Sequence, residues 1–290
     1  MTMPPVWSPV TPLQYFESLV ASDDDFALLE AAASLAQDED PGLDVQQVLA
    51  DVDRLQRRLL WRTREADQET RLAVLNHMFY SSWGFGLNVN DYHAPENSYL
   101  HEVIRTRRGI PVSLALIWTE LARGLGLDAQ GISFPGHFLV KVHLPQGLMV
   151  LDPVDGQALT VSALAQRLAP FLPEDPLDLR EGLDAGDTPL GLYLQGCTER
   201  EWLGRMLRNL KEIFLGQRDL DRALAVQQRL VRVWPHDPTQ RRDRGLLLAQ
   251  LGQVAQARVD LEAYVLSEPE ALDAQAVRER LQALGGDVPT

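Results

Sequence analysis

Four residue pairs near the C-terminus recur at a spacing of 34: Leu220 with Val254, Ala223 with Ala257, Leu230 with Tyr264, and Pro235 with Pro269. A repeat of that length, apolar at helical intervals and closed by a proline, describes a pair of helices that buries its inner face only by stacking on a neighbour. Two visible units fall short of the three or so that such arrays need. The region from about residue 198 is therefore expected to be all-helical and to lean on the domain before it.

Upstream the period changes twice. Helical spacing runs through residues 12–81, with Leu13, Phe16, Leu19 and Val20 on one face and Val48, Val52, Leu55 and Leu59 on another. The acidic clusters Asp23–Asp25 and Asp38–Asp40 lack the glycine-centred spacing of a calcium loop and are expected to be solvated helix junctions. Residues 84–95 are expected to form a loop. Helical spacing returns from Ile110 to Leu125 and stops at Gly124 and Gly126. From His137 the period becomes two, with Phe138, Val140, Val142 and Leu144 facing one way and His137, Leu139, Lys141 and His143 the other. Pro145-Gln146-Gly147 predicts a turn, and Leu148–Leu151 a second strand ending at Asp152-Pro153. Helix followed by antiparallel hairpin marks an α+β fold. Residues 173–197 open with prolines, glycines and acidic residues and are expected to form a linker. The expected organisation is a helical part over 1–85 packing on the core, a core over 86–172, that linker, and helical repeats over 198–290.

Charge and cysteine usage narrow the function classes. Residues 1–199 carry 13 basic against 28 acidic side chains, whereas the remainder carries 14 against 13. An acidic N-terminal two-thirds repels phosphate backbones, which argues against a nucleic-acid partner. No apolar run reaches the roughly 20 residues that span a bilayer, so no membrane association is expected, and no export signal is visible at the N-terminus. The single cysteine, Cys197, fits a reducing compartment, and the cytoplasm is the expected location. Trp7, Trp61, Trp83, Trp118, Trp202 and Trp234 are expected to be packing residues.

The hairpin sets Asp152 opposite residues 138–140, near His137. A carboxylate beside an imidazole fixes its tautomer and supports two of the three roles in a nucleophile–His–Asp triad. The nucleophile would sit at the start of the preceding helix, where the helix dipole favours a thiolate. That position holds Pro111, which cannot attack anything and which suits a first helical turn because its missing N–H needs no partner. Ser113 is the nearest hydroxyl, about 200° around the helix. A metal held by His93, His101, His137, His143 and Asp152 has no recognised ligand spacing, and no metal or cofactor is expected.

Gly109-Ile110-Pro111, Ala115, Leu121-Ala122-Arg123-Gly124, His137 and Asp152-Pro153 together resemble the transglutaminase-like fold of the papain-like group, with Pro111 where that pattern has its cysteine. The 34-residue period resembles tetratricopeptide repeats. A closer resemblance is to the SirB-type family, which joins these two parts. It is carried by Asn97-Ser98-Tyr99-Leu100, Arg108-Gly109-Ile110-Pro111, Phe134-Pro135-Gly136-His137-Phe138-Leu139 and Asp152-Pro153, and in the tail by Asn209-Leu210-Lys211 and Arg242-Asp243-Arg244-Gly245-Leu246. The resemblance implies a papain/transglutaminase-like core followed by a tetratricopeptide-like tail. The expected role is a non-catalytic protein that binds a protein or peptide partner through the repeats. The alternative is an amidase or peptidase, or a transferase, using His137 and Asp152 with Ser113 or a metal.

Overall fold

The computed structural model describes residues 10–172 and 189–285. Its contacts divide the chain into two units: one runs from Asp44 to Met206, and the other joins the residues up to Leu43 with those from Leu207. The N-terminal part expected over 1–85 is thus split, and its first half belongs with the repeats.

The middle unit opens with α3 (Val45–Arg62) and α4 (Gln68–Asn76), capped by Asp44 and Asp67, whose carboxylates accept from first-turn N–H groups. Val48, Val52, Leu55 and Leu59 form the buried stripe of α3. A π-helical turn at His77–Ser82 follows α4. The expected loop over 84–95 includes β1 (Gly86–Leu87), which pairs in parallel with β2 (Arg108–Gly109) after α5 (Leu100–Thr106). Helix α6 (Pro111–Gly124) is buried along almost its whole length, as expected of a helix with apolar residues all round.

A three-stranded antiparallel sheet packs on α6 in the order β3 (Asp128–Ile132), β4 (Leu139–Leu144), β5 (Gly147–Leu151). The hairpin forms in the expected register, with Val140 opposite Leu151 and Leu144 opposite Gly147. Strand β3 was not foreseen. Its Gly131 lies under the Trp202 ring, where a Cβ would come within 2.3 Å of the indole, a close approach that only glycine permits. The face carrying Leu139 is covered as well: Leu139, Ile132, Phe134 and Val150 pack with Leu164 and Leu168 of α7 (Val161–Leu168) and Leu190 of α8 (Pro189–Tyr193). The expected linker over 173–197 is therefore packed from Leu190 onward, while residues 173–188 lie outside the described residues. Helix α9 (Glu199–Gly216) runs across the division between the units.

In the other unit the repeat is a repeat of structure. Helices α10 (Leu220–Val233) and α12 (Val254–Ser267) begin and end 34 residues apart. The turns before them match too: Asp219 N–H donates to the Phe214 carbonyl and Gln253 N–H to the Leu248 carbonyl, each 2.9 Å. The left-handed residue in those turns is Arg218 in the first and Gly252 in the second. Helix α11 (Pro238–Gln250) fills the space between, and α13 (Ala274–Ala283) covers Leu261, Tyr264 and Val265.

Helix α10 is contacted by α1 (Pro12–Leu19), on which α2 (Leu28–Ser34) packs before running into the 3₁₀ turn Leu35–Asp38. Arg229 of α10, only 1% exposed, donates from Nε and Nη2 to both Asp38 oxygens at 2.7 Å, and its guanidinium lies 4.6 Å from the Phe16 ring centroid. Asp38 therefore holds a buried cation and is not a plain solvated junction.

Candidate functional site

Asp152 follows β5 and is 6% exposed. Its backbone is fixed by a turn in which Asp152 N–H donates to Gln157 and the Asp152 carbonyl accepts from Gly156 N–H. His137 sits two residues before β4, in a turn where its N–H donates to Phe134. The hairpin brings the two side chains together: His137 Nε2 lies 3.1 and 3.2 Å from the two Asp152 oxygens. With the carboxylate on Nε2, Nδ1 is the ring nitrogen turned away from it.

Asp152 has two further partners that the sequence did not disclose. Arg167 of α7 donates from Nη1 to Oδ2 at 2.8 Å, and Val154 N–H donates to Oδ1 at 3.1 Å. Burial alone would raise this carboxyl. The bonds from His137, Arg167 and Val154 more than offset that and hold it at about 2. Tyr80, in the π-helical turn, donates to the Pro153 carbonyl at 3.1 Å, and burial followed by the Asp152 charge pushes its phenol upward. The anionic carboxylate thus keeps the imidazole N–H pointed at itself, and it adds to the burial that keeps the phenol neutral.

Pro111 is the first residue of α6. The chain neighbours of Pro111 and His137, Val112 and Phe138, are linked through one indole. Trp202 Nε1 donates to the carbonyl of Val112 at 3.2 Å, and the same ring packs on Phe138 with centroids 4.8 Å apart. Ser113 points elsewhere. It is fully buried, donates to the Asn97 carbonyl at 2.6 Å and accepts from Ile110 N–H at 3.1 Å. Asn97 in turn donates to the Asp91 and Tyr92 carbonyls and accepts from Asn88. Ser113 and Asn97 therefore knit the 88–97 segment to the start of α6.

Cys197 lies beside β3, with its N–H donating to the Gly131 carbonyl at 2.9 Å. Burial, and then the Glu201 charge, push its thiol up to about 12, which leaves almost no thiolate at neutral pH. The histidines weighed as ligands are dispersed. His143 pairs with Asp128 at 3.0 Å, His101 lies 3.5 Å from Glu102, and His93 stacks edge-on with Tyr92. Among the described residues no three His, Cys, Asp or Glu side chains converge as a metal site would require. Also among them, no helix is long and apolar enough to cross a membrane.

A helix start, an antiparallel hairpin and a His–Asp pair at its open end define a transglutaminase-like domain, and the family model described as the transglutaminase-like superfamily matches residues 46–208. A tetratricopeptide repeat model matches residues 210–282. Among curated relatives, a UPF0162 protein of Xylella fastidiosa (strain 9a5c) is 33% identical over 288 residues, spanning 95% of this chain and 96% of its own. A UPF0162 protein of Vibrio cholerae is 27% identical over 91% of this chain and 96% of its own, and Protein SirB1 of Salmonella typhimurium is 28% identical over 75% and 77%. The chain belongs to this SirB-type family, in which a transglutaminase-like domain is joined to tetratricopeptide repeats. No solved structure gives a significant match.

Proposed function

We propose that this is a non-catalytic interaction or ligand-binding protein whose transglutaminase-like site has kept its His–Asp pair without a nucleophile. The observation that carries the reading is Pro111 at the first helical position, the place where the resemblance to the transglutaminase-like pattern puts the nucleophile. Neither neighbouring candidate replaces it. The Ser113 hydroxyl is spent on Asn97 and Ile110, and the Cys197 thiol is held protonated by burial and Glu201. A hydrolase or transferase that uses His137 and Asp152 with Ser113 would have to break that local bonding in every turnover. The helical repeats supply the surface for a protein or peptide partner, since stacked helix pairs leave extended faces for such contacts. The cytoplasm is the setting we propose, from the single cysteine.

Returning a thiol to the site tests the reading. Pro111→Cys in a Cys197→Ser background should be alkylated rapidly at about pH 6–7, and more slowly when His137 is also replaced by alanine, because a helix N-terminus and an imidazolium lower a thiol pKa. Labelling that follows an ordinary thiol near about pH 8.5 and ignores His137 would place position 111 outside the site. In parallel, hydrolysis or transamidation of peptide and glutamine-amide substrates by the natural protein, lost in His137→Ala, would make it an enzyme.

A further inference from the structure

The chain's acidic majority contains one concentrated exception. Six of the 13 basic side chains before residue 200 are Arg54, Arg57, Arg58, Arg62, Arg64 and Arg71. Three of them, Arg57, Arg64 and Arg71, line a cavity of about 580 Å³ where the end of α3 meets the end of α6 at Gly124–Gly126. Among the described residues no acidic side chain lines it. Its remaining wall includes Leu60 and Trp61, which are 46% and 71% exposed. Trp61 was expected to be a packing residue, and among the described tryptophans it is the one left largely in solvent.

Helix ends explain only part of this arrangement. Arg71 Nη1 donates to the Leu125 carbonyl at 2.7 Å, which satisfies the C-terminus of α6 and fixes the guanidinium in place. Its Nε is nevertheless buried without an acceptor, as is Gln56 Nε2, whose amide packs on Gly124 of the same wall. Both atoms are covered by protein, so the groups open to a ligand are the exposed guanidinium nitrogens of the lining arginines. Among the described residues, neither Arg57 nor Arg64 has a carboxylate within ion-pairing distance. Guanidinium groups gathered without counter-charges, beside an exposed indole, suit an oxyanion attached to a flat apolar body. The volume falls within the range of small-molecule sites.

We propose that this pocket binds a phosphorylated small molecule with a planar body, its phosphate held by Arg57, Arg64 and Arg71 and its body resting on Trp61 and Leu60. A tetrahedral phosphate can be shared among three guanidiniums, and a concave site favours a small ligand over an extended surface. The site shares no residue with the His137–Asp152 pair, so it stands whether or not that pair is catalytic.

Calorimetry on the full chain with ADP, adenosine and inorganic pyrophosphate as probes tests the proposal. ADP should bind more tightly than either fragment, and its affinity should fall as salt rises. Arg64→Ala and Arg57→Ala should each weaken ADP and pyrophosphate by about tenfold or more, whereas Trp61→Ala should weaken ADP and leave pyrophosphate unchanged. All three side chains are exposed, so thermal melts of the variants should match the natural protein, and Arg64→Gln serves as a second variant if one does not. No binding of ADP or pyrophosphate at millimolar concentration would overturn the proposal, as would binding indifferent to these substitutions. Cosedimentation with phosphatidylserine vesicles in the absence of ADP binding would also overturn it, by making this face a membrane surface.

Discussion

Arg229 and Asp152 are both charges withdrawn from water, one in each unit, and the residues around them differ. Arg229 meets a carboxylate in a fork and a ring on its flank, and the carboxylate comes from 191 residues away in the chain. That cluster joins two distant stretches of chain through a bidentate pair, so it behaves as a fastener. Asp152 is surrounded by an imidazole, an exposed arginine and a backbone N–H. The imidazole is partly exposed and has a second nitrogen to offer. A buried charge forked onto a carboxylate from a distant segment holds segments together, whereas one that holds a partly exposed histidine keeps a reactive group aimed.

Removing the N-terminal partner altogether should produce the largest effect. Residues 198–290 alone should show weak, non-cooperative helix by circular dichroism, because α1 no longer packs on α10. A sharp unfolding transition would break the comparison. Next in size, Asp38→Ala leaves the Arg229 cation buried and unpaired and should cost about 3–5 kcal/mol in urea denaturation. Pairing Asp38→Leu with Arg229→Met should recover most of that, as buried ion pairs often tolerate apolar replacement. A loss below about 1 kcal/mol for Asp38→Ala would mean the pair behaves like one at the surface.

Asp152→Ala should cost less, about 1–3 kcal/mol, since Arg167 and His137 can both turn toward water. An unchanged melting midpoint would show that this carboxylate holds nothing. The smallest effect concerns acid. The Asp152 carboxyl is depressed to about 2 in the folded chain, against about 3.9 when unfolded. Its contribution is therefore complete above about pH 4 and is lost as the pH falls toward about 2. Asp152→Asn should flatten the stability profile over that window relative to the natural protein. Profiles that fall in parallel would assign the acid sensitivity to other carboxylates.

The sequence disclosed what local periodicity and turn chemistry encode. The stripe of α3, the start of α6 at Pro111, the hairpin from Leu139 to Leu151 and the 34-residue offset of α10 and α12 were all legible, and hairpin register alone brought Asp152 near His137. Strand β3 was not legible, because Asp128–Ile132 is short and owes its glycine to the distant Trp202 ring. Two-residue strands such as β1 and β2 leave no periodic trace. Arg167 and Tyr80 reach Asp152 and Pro153 from a helix and a π-helical turn whose placement no local pattern reports. Arg229 reads in sequence as one more polar residue on α10, and its burial depends on where residues 10–43 return. Trp61 was misjudged for the same reason: an indole's exposure depends on what packs over it.

The division of the chain also has a consequence in time. The unit that holds the repeats takes its first pieces from residues up to Leu43 and its remainder from Leu207 onward, with the whole transglutaminase-like unit threaded between. On a ribosome adding about 5–20 residues per second, the first pieces wait roughly ten to thirty seconds for their counterpart. The middle unit can mature during that interval, and Phe16 and Asp38 meet Arg229 only once α10 has been made. During that delay the apolar faces of α1 and α2 lack their final cover, so these two helices are the vulnerable part of the nascent chain long after they have emerged.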